Sequence, residues 1–289
     1  MKTELLTLFT RTPLHVGAGT SVGAIDQPVV RERHTRYPVI PGSALKGVLA
    51  DLWLDRSDPA APVRSRVGKS LFGEDDLKAN AAAGKLLIGE SKLLAFPVRS
   101  AKGCFAWITC PMVLARFDRD ARKRIPIPSI EVVKGAAKVA TETDVLLTFK
   151  DASTAVFEEY SMPTSKDEAV DELTKALQPL CSDKVWSELV AKKLAVVDDE
   201  TFAYFAKNAC EVAQHNRIND TTNTVDGSGF FNQENVPSET LFYALVFCED
   251  ESLLKDEFAN QIKKEGMLQI GADMTTGLGW CTATLTTVD

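Results

Sequence analysis

One carboxylate, Asp26, closes a run of glycines and small residues that begins at His15, and its neighbours Ala24, Ile25 and Pro28 bring no compensating charge. Gly17, Gly19 and Gly23 allow backbone to approach a ligand closely and to turn peptide N–H groups outward, an arrangement that suits phosphate. Beside a phosphate, an aspartate can serve as base, as an oxygen ligand for Mg²⁺ or another divalent metal, or as a positioning group. Alone it is a weak metal site that would need the ligand's own phosphates to complete the coordination. The alternative is a carboxylate that caps a turn. His15 could act as base or phosphate donor, or orient the loop.

Downstream, Pro41-Gly42-Ser43 precedes Leu45, Val48, Leu49, Leu52 and Trp53, the spacing of an amphipathic helix over 43–55 capped by Ser43. Lys46 then falls in its first turn, off the apolar stripe, where the helix dipole disfavours a cation. It is either a solvated lysine or shares an anion with the Ser43 hydroxyl and the free N–H groups of that turn.

The blocks His15–Thr20 (HVGAGT), Ile25–Thr35 (IDQPVVRERHT) and Tyr37–Gly47 (YPVIPGSALKG) resemble the N-terminal signature of RAMP proteins, specifically the repeated backbone subunit, subunit four, of the type III-B CRISPR Cmr effector complex. Leu93–Phe117, Asn223–Val246 and Leu268–Trp280 resemble further blocks of that family in the same order, so the resemblance runs nearly the whole chain. It implies an RRM-like fold and a subunit that binds crRNA and stacks head-to-tail with copies of itself and with other Cmr subunits. It also implies cleavage of the complementary target ssRNA at regular intervals, with Asp26 aligned to the cleavage aspartate. Glu90 and Glu234 match positions where family members place acids, as second metal ligands or proton carriers. The different-class alternative is a catalytically inactive RNA-binding scaffold.

Asn216 to Pro237 is polar and contains Asp226-Gly227, a hairpin-turn signal. By the resemblance it forms a thumb, at about 216–237, that crosses the guide–target duplex, with Phe230 and Phe231 as wedge or stacking surface and Arg217 as an RNA contact. The other reading folds both phenylalanines back onto the core. By the same resemblance Gly277 and Gly279 would form a second glycine loop that contacts RNA. The sequence departs from relatives at Gln233 and Asn235, in the thumb, and at Leu278 and Ala50, where cations are common.

The chain has 289 residues, 45% hydrophobic, enough for a sizeable core. No apolar run nears the roughly 20 residues that cross a bilayer, and no signal-peptide pattern opens the chain, so the cytoplasm is expected. Six scattered cysteines without a CxxC pair read as buried free thiols, and three histidines exclude a histidine-rich metal site. Gly68-Lys69-Ser70 is not a P-loop, because Val63 occupies the required first glycine position. A net charge of −7 opposes polyanion binding. Its distribution argues the other way: residues 1–50 carry six Lys/Arg against three Asp/Glu, 91–138 ten against three, and 139–289 eleven against 27. RNA held by the basic stretches should weaken by roughly 0.7 log units per log unit of salt for each phosphate engaged.

Strands are expected at Leu5–Phe9, Lys85–Ile88, Phe105–Thr109, Leu241–Cys248 and Trp280–Val288. Helices are expected from Ser165 onward, over 184–194 and over Ser252–Lys264, with an irregular insertion at 56–84. The fold class is therefore α+β: one RAMP domain, 1–289, with a ferredoxin-like/RRM-like core, insertions at about 56–84 and 118–200 that include a helical region, and a β-hairpin thumb.

Overall fold

The computed structural model describes residues 2–19, 23–55, 57, 62–74, 82–150, 152–219 and 221–288; the side chains at 217 and 226–228 lie outside the description. The fold is mixed α/β around a 13-stranded mixed sheet. Its first four long strands run in the spatial order Trp280–Thr287, Lys2–Thr10, Leu241–Cys248, Ser91–Arg99, each antiparallel to its neighbour. The helix Gly42–Asp51 lies between the first of these in sequence and Ser91–Arg99. A helical stretch, Leu253–Ala259 continuing as Asn260–Glu265, lies between the last two. The expected ferredoxin-like unit is not set apart as a sheet of its own. Pairing continues through Phe105–Thr109 and Leu194–Val197 to Ala137–Val139 and a hairpin-like series that ends in the edge strand Leu147–Phe149.

Lys2–Thr10 is buried at every position from Thr3 to Thr10, so both faces of the sheet are covered there and its apolar residues run consecutively instead of alternating. Phe9 packs on Trp107 and Trp186, with centroids 6.2 and 5.9 Å away, and Trp53 stacks on Phe258 at 5.9 Å. Among the described residues, no helix is long and apolar enough to cross a membrane.

Several expectations need correction. Ser43 does not cap its helix, which runs over Gly42–Asp51 with Pro41 at the N-cap and no side-chain cap bond. Gly42 makes the earlier start possible, because a Cβ there would lie 2.9 Å from the Ile88 carbonyl oxygen. Lys46 is accordingly the fifth helical residue rather than part of the first turn. Leu52 and Trp53 leave the helix, their N–H groups turning back to Leu49 and Ala50. Ser165 still belongs to the strand Tyr160–Lys166, and Asp167 caps the helix Glu168–Leu177 by accepting from Ala169 N–H at 2.9 Å. The stretch at 56–84 is not wholly irregular, since the helix Arg66–Phe72 lies in it and takes in Gly68-Lys69-Ser70. Cys104 is exposed and Cys210 half-buried, whereas Cys110, Cys181, Cys248 and Cys281 are buried free thiols.

The hairpin is present but turns elsewhere. Glu211–Ile218 pairs with Val225–Asn235, so Asp226-Gly227 lies inside the second strand and not at the turn. Asn219 takes over the turn-forming role: its side-chain oxygen accepts from the N–H groups of Thr221 and Thr222, an Asx-type closure.

Candidate functional site

Where Lys2–Thr10 ends and Leu241–Cys248 and Trp280–Thr287 begin, three segments meet. Leu14 exchanges both backbone hydrogen bonds with Val236, at 2.8 and 2.9 Å, which docks the glycine-rich loop on the hairpin's exit. The loop doubles back so that Gly17 bridges Val29, and Gln27 then lies parallel to Gln233. Gln27 N–H donates to Asn232 and Glu234 N–H donates to Gln27, extending the hairpin by one short strand. The C-terminal glycine loop closes the group, with Ala272 N–H on the His15 carbonyl and Gly279 N–H on the Pro13 carbonyl, both at 2.9 Å. Gly279 adopts φ +80 and a Cβ there would collide with the Ile270 carbonyl, so only glycine fits.

Asp26 is exposed and sits on the strip of loop that leans on the hairpin. Its Oδ2 accepts the Asn232 N–H at 2.8 Å; among the described residues nothing donates to Oδ1. A carboxylate anchored by one oxygen and open at the other can accept a proton or order a hydroxyl. His15, by contrast, is buried, and its Nδ1 lies 2.7 Å from the Glu234 carbonyl oxygen. Because a carbonyl only accepts, Nδ1 carries the proton, and Nε2 faces the backbone at Gly17. The ring thus wedges the loop against the hairpin.

Glu234 is 4% exposed. Its Oε2 accepts Val29 N–H at 3.0 Å and its Oε1 is 2.6 Å from Arg31 Nη2, so both oxygens are held by the protein itself. The departures Gln233 and Asn235 are buried as well: the Gln233 amide donates to Asn235 Oδ1 at 3.1 Å and to Asp273 Oδ2 at 2.7 Å, tying the hairpin to the C-terminal loop. Further out, Phe230 is 59% exposed, while Phe231 is half-buried and stacked on His215 at 5.0 Å and 14°. The backbone of Arg217 lies in the hairpin's first strand; its side chain is outside the described residues. Gly17 and Gly19 are exposed, and Gly277 (φ +90) has no atom within 4 Å of a Cβ position.

The structure therefore unites His15, Gly17, Asp26, Phe230, Phe231, Glu234, Gly277 and Gly279 around one junction. Ser43, Lys46 and Glu90 are all exposed and gather instead near the start of Gly42–Asp51, with no described hydrogen bond or ion pair joining them to Asp26. Among the described residues, no three His, Cys, Asp or Glu side chains converge as a metal would require.

The basic stretches are less free than their sequence suggests. Lys92 pairs with Asp120, Arg99 with Glu158 and Glu159, Arg116 with Glu32, Lys134 with Glu200, and Lys138 with Asp167. Burial raises the Glu32 carboxyl, but the hydrogen bonds from Arg116 and Thr35 outweigh it and hold the group below its ordinary range. Arg31, one of the six cations counted in residues 1–50, and its neighbour Glu32 are both internal. Adjacent opposite charges in an extended stretch point to opposite sides, which was the available signal for two separate pairs. The roles of Asn232, through its peptide, and of Asp273 had no signal in residue type.

Comparison with known proteins agrees with this architecture. Residues 7–282 match the RAMP superfamily. The chain is 33% identical over 302 residues to the CRISPR system Cmr endoribonuclease Cmr4 of Pyrococcus furiosus, covering 99% of this chain and 96% of that protein. Its fold superposes on the crystal structure of oligomeric Cmr4 from Pyrococcus furiosus with a TM-score of 0.73 at 27% identity, covering 100% of both chains. A chain of the type III-B Cmr-beta complex bound to cognate target RNA shares the fold with a TM-score of 0.75 at 16% identity, over 99% of this chain and 97% of that one. With sequence and fold matching from end to end, the chain belongs to the RAMP superfamily and, within it, to the family of Cmr4.

Proposed function

We propose that this chain is a crRNA-binding backbone subunit of a type III-B Cmr effector complex, stacked head-to-tail with its own copies in the cytoplasm. Each copy cleaves the complementary target ssRNA through Asp26. The observation that carries the proposal is the Asp26 carboxylate, exposed yet pinned by the Asn232 peptide beside a hairpin that presents Phe230 to solvent. Full-length similarity to an endoribonuclease supports the activity, and similarity to an oligomeric Cmr4 supports self-association.

In this reading the hairpin interrupts the guide–target pairing, with Phe230 covering the exposed base face, and the backbone turned out near the junction can then reach Asp26. In-line attack by a 2'-hydroxyl, or by water, forms the new O–P bond as the 5'-oxygen leaves. Asp26 Oδ1 takes or orients the attacking proton, a contribution of about 10²–10⁴-fold for a positioned base. Backbone N–H groups at Gly17 and Gly19 hold phosphates, with Arg217, Ser43 and Lys46 along the guide path, while Gly277 and Gly279, whose N–H groups are taken by the Met274 and Pro13 carbonyls, let the RNA backbone come close. His15 and Glu234 shape the loop rather than touch RNA. A protein-held divalent cation does not fit the described side chains, since Asp26 supplies one carboxylate with one oxygen already bonded.

The test is target-RNA cleavage by the guide-loaded complex, comparing wild type with Asp26→Ala, with and without Mg²⁺. Regularly spaced products that vanish in the variant are expected. If both proteins bind target and neither or both cut it, Asp26 is not the catalyst and the chain is a scaffold.

A further inference from the structure

Arg31 is the most heavily engaged side chain at the junction, and it is almost wholly buried there. Arg31 and Glu234 side chains are each 6% exposed and 2.6 Å apart. Nη1 of Arg31 donates to the carbonyls of Arg36 and Ala206 at 2.7 and 2.8 Å. Nη2 reaches the Lys207 carbonyl at 3.2 Å and the Cys210 sulfur at 3.3 Å. Ala206 and Lys207 belong to the last turn of the helix Asp199–Asn208, where carbonyls lack helical partners and the dipole favours a cation. Three residues beyond that helix the hairpin's first strand begins at Glu211, and Glu234 sits near the end of its second strand. One guanidinium thus grips both legs of the hairpin at its base.

The same residue is five positions from Asp26 on the strip of loop that lies along the hairpin. Glu234 completes the connection by holding Val29 N–H, and the Asn232 peptide that anchors Asp26 is two residues from Glu234. This strut braces, through side chains, the same contact that Gln27 makes with Asn232 and Glu234 through backbone bonds. We propose that Arg31 is a positioning residue for target cleavage: it sets the hairpin's angle against the Asp26 loop, so that the displaced RNA backbone arrives at the carboxylate. This rests on the reading that Asp26 cuts RNA. Lysine is a poor substitute, because a single ammonium cannot serve two helix-end carbonyls and a carboxylate in one plane.

The experiment uses the guide-loaded complex and separates chemistry from binding by measuring single-turnover cleavage at saturating target alongside target affinity. Arg31→Ala would leave Glu234 buried and unpaired, so the variant used is Arg31→Met with Glu234→Gln, which removes both charges and keeps an acceptor for Val29 N–H. Cleavage should slow by about 100-fold, the scale expected from an ångström of misplacement, while guide and target binding stay within about twofold. Arg31→Lys should cut at an intermediate rate, and it carries the test alone if the double variant fails to fold. Wild-type cleavage rates in these variants, or losses of binding that match the losses of cleavage, would overturn the proposal. Asp26→Asn run in parallel keeps the two questions apart: if it cuts normally, the assignment of Asp26 fails whatever Arg31 does.

Discussion

The peptide N–H of Asn232 donates to Oδ2 of Asp26 across 2.8 Å, a hydrogen bond between residues 206 positions apart in the chain. It joins the N-terminal glycine-rich loop to the hairpin, so the open carboxylate oxygen and the exposed Phe230 ring belong to one surface. A charged acceptor strengthens such a bond, and the donor is backbone, so no side-chain substitution at 232 other than proline removes it.

Asp26→Asn keeps an oxygen for the Asn232 N–H and loses the charge. Target cleavage should fall by about 100-fold or more, while melting temperature and target affinity hold. Gel-resolved cleavage with thermal melting in parallel checks this; a large fall in melting temperature would mark Asp26 as a turn cap.

Phe230 is exposed and Phe231 is stacked on His215. Phe230→Ala should leave thermal stability unchanged and weaken target RNA binding by about tenfold, the lower part of the 1–3 kcal/mol that base stacking on an aromatic ring provides. Phe231→Ala should lower stability as well, because it removes a packed ring. Filter binding and thermal melting distinguish the two.

Glu239 lies at the start of Leu241–Cys248, where burial, with a smaller contribution from Asp183, pushes its carboxyl up to about 7 from 4.5. Its Oε2 is buried without a hydrogen-bond partner. Between those two values the folded chain binds more protons than the unfolded one, so this group's contribution to stability is full below about pH 4.5 and is lost as pH rises towards 7. Glu239→Gln should flatten that slope, melting about 2 °C or more above wild type at pH 8 and little differently at pH 5. Melting curves from pH 5 to 8.5 are the check.

Glu32 accepts from Arg116 Nη1 and Nη2 at 3.0 and 2.5 Å, and from Thr35 at 2.5 Å. Arg116→Ala strands a buried carboxylate and should cost about 3 kcal/mol, read by urea unfolding, since one partner of a buried pair is removed. Because the folded Glu32 carboxyl is held low, the wild-type stabilisation should persist above the usual carboxylate range and disappear as pH falls below it. Adding Glu32→Gln to the variant should recover much of the loss.

Several elements could be read from residue order alone because their physics is local. The apolar run Leu241–Cys248 and the strand Phe105–Thr109 have their expected bounds, since β-rich apolar segments between breakers have few alternatives. Caps and turns were less legible. Ser43, Ser165 and Asp226-Gly227 each have the right chemistry for a cap or turn, and each lost the position to a neighbour that tertiary pairing favoured. Pro41-Gly42 could begin a helix against the Ile88 carbonyl, Ser165 was taken up by pairing with Lys138, and Asn219 closed the hairpin turn.

What the sequence by itself determined is the family, the alternation of strand and helix, and the lone carboxylate at the end of a glycine loop, all properties of residue type and short spacing. Only the tertiary structure decided which charges are available. It buried Arg31 against Glu234 and Glu32 against Arg116, paired much of the 91–138 basic stretch with acids far away in sequence, and left Asp26 open. The reason is that a charge taken from water must find a partner, and the partner is set by which strands and loops pack together rather than by its distance along the chain.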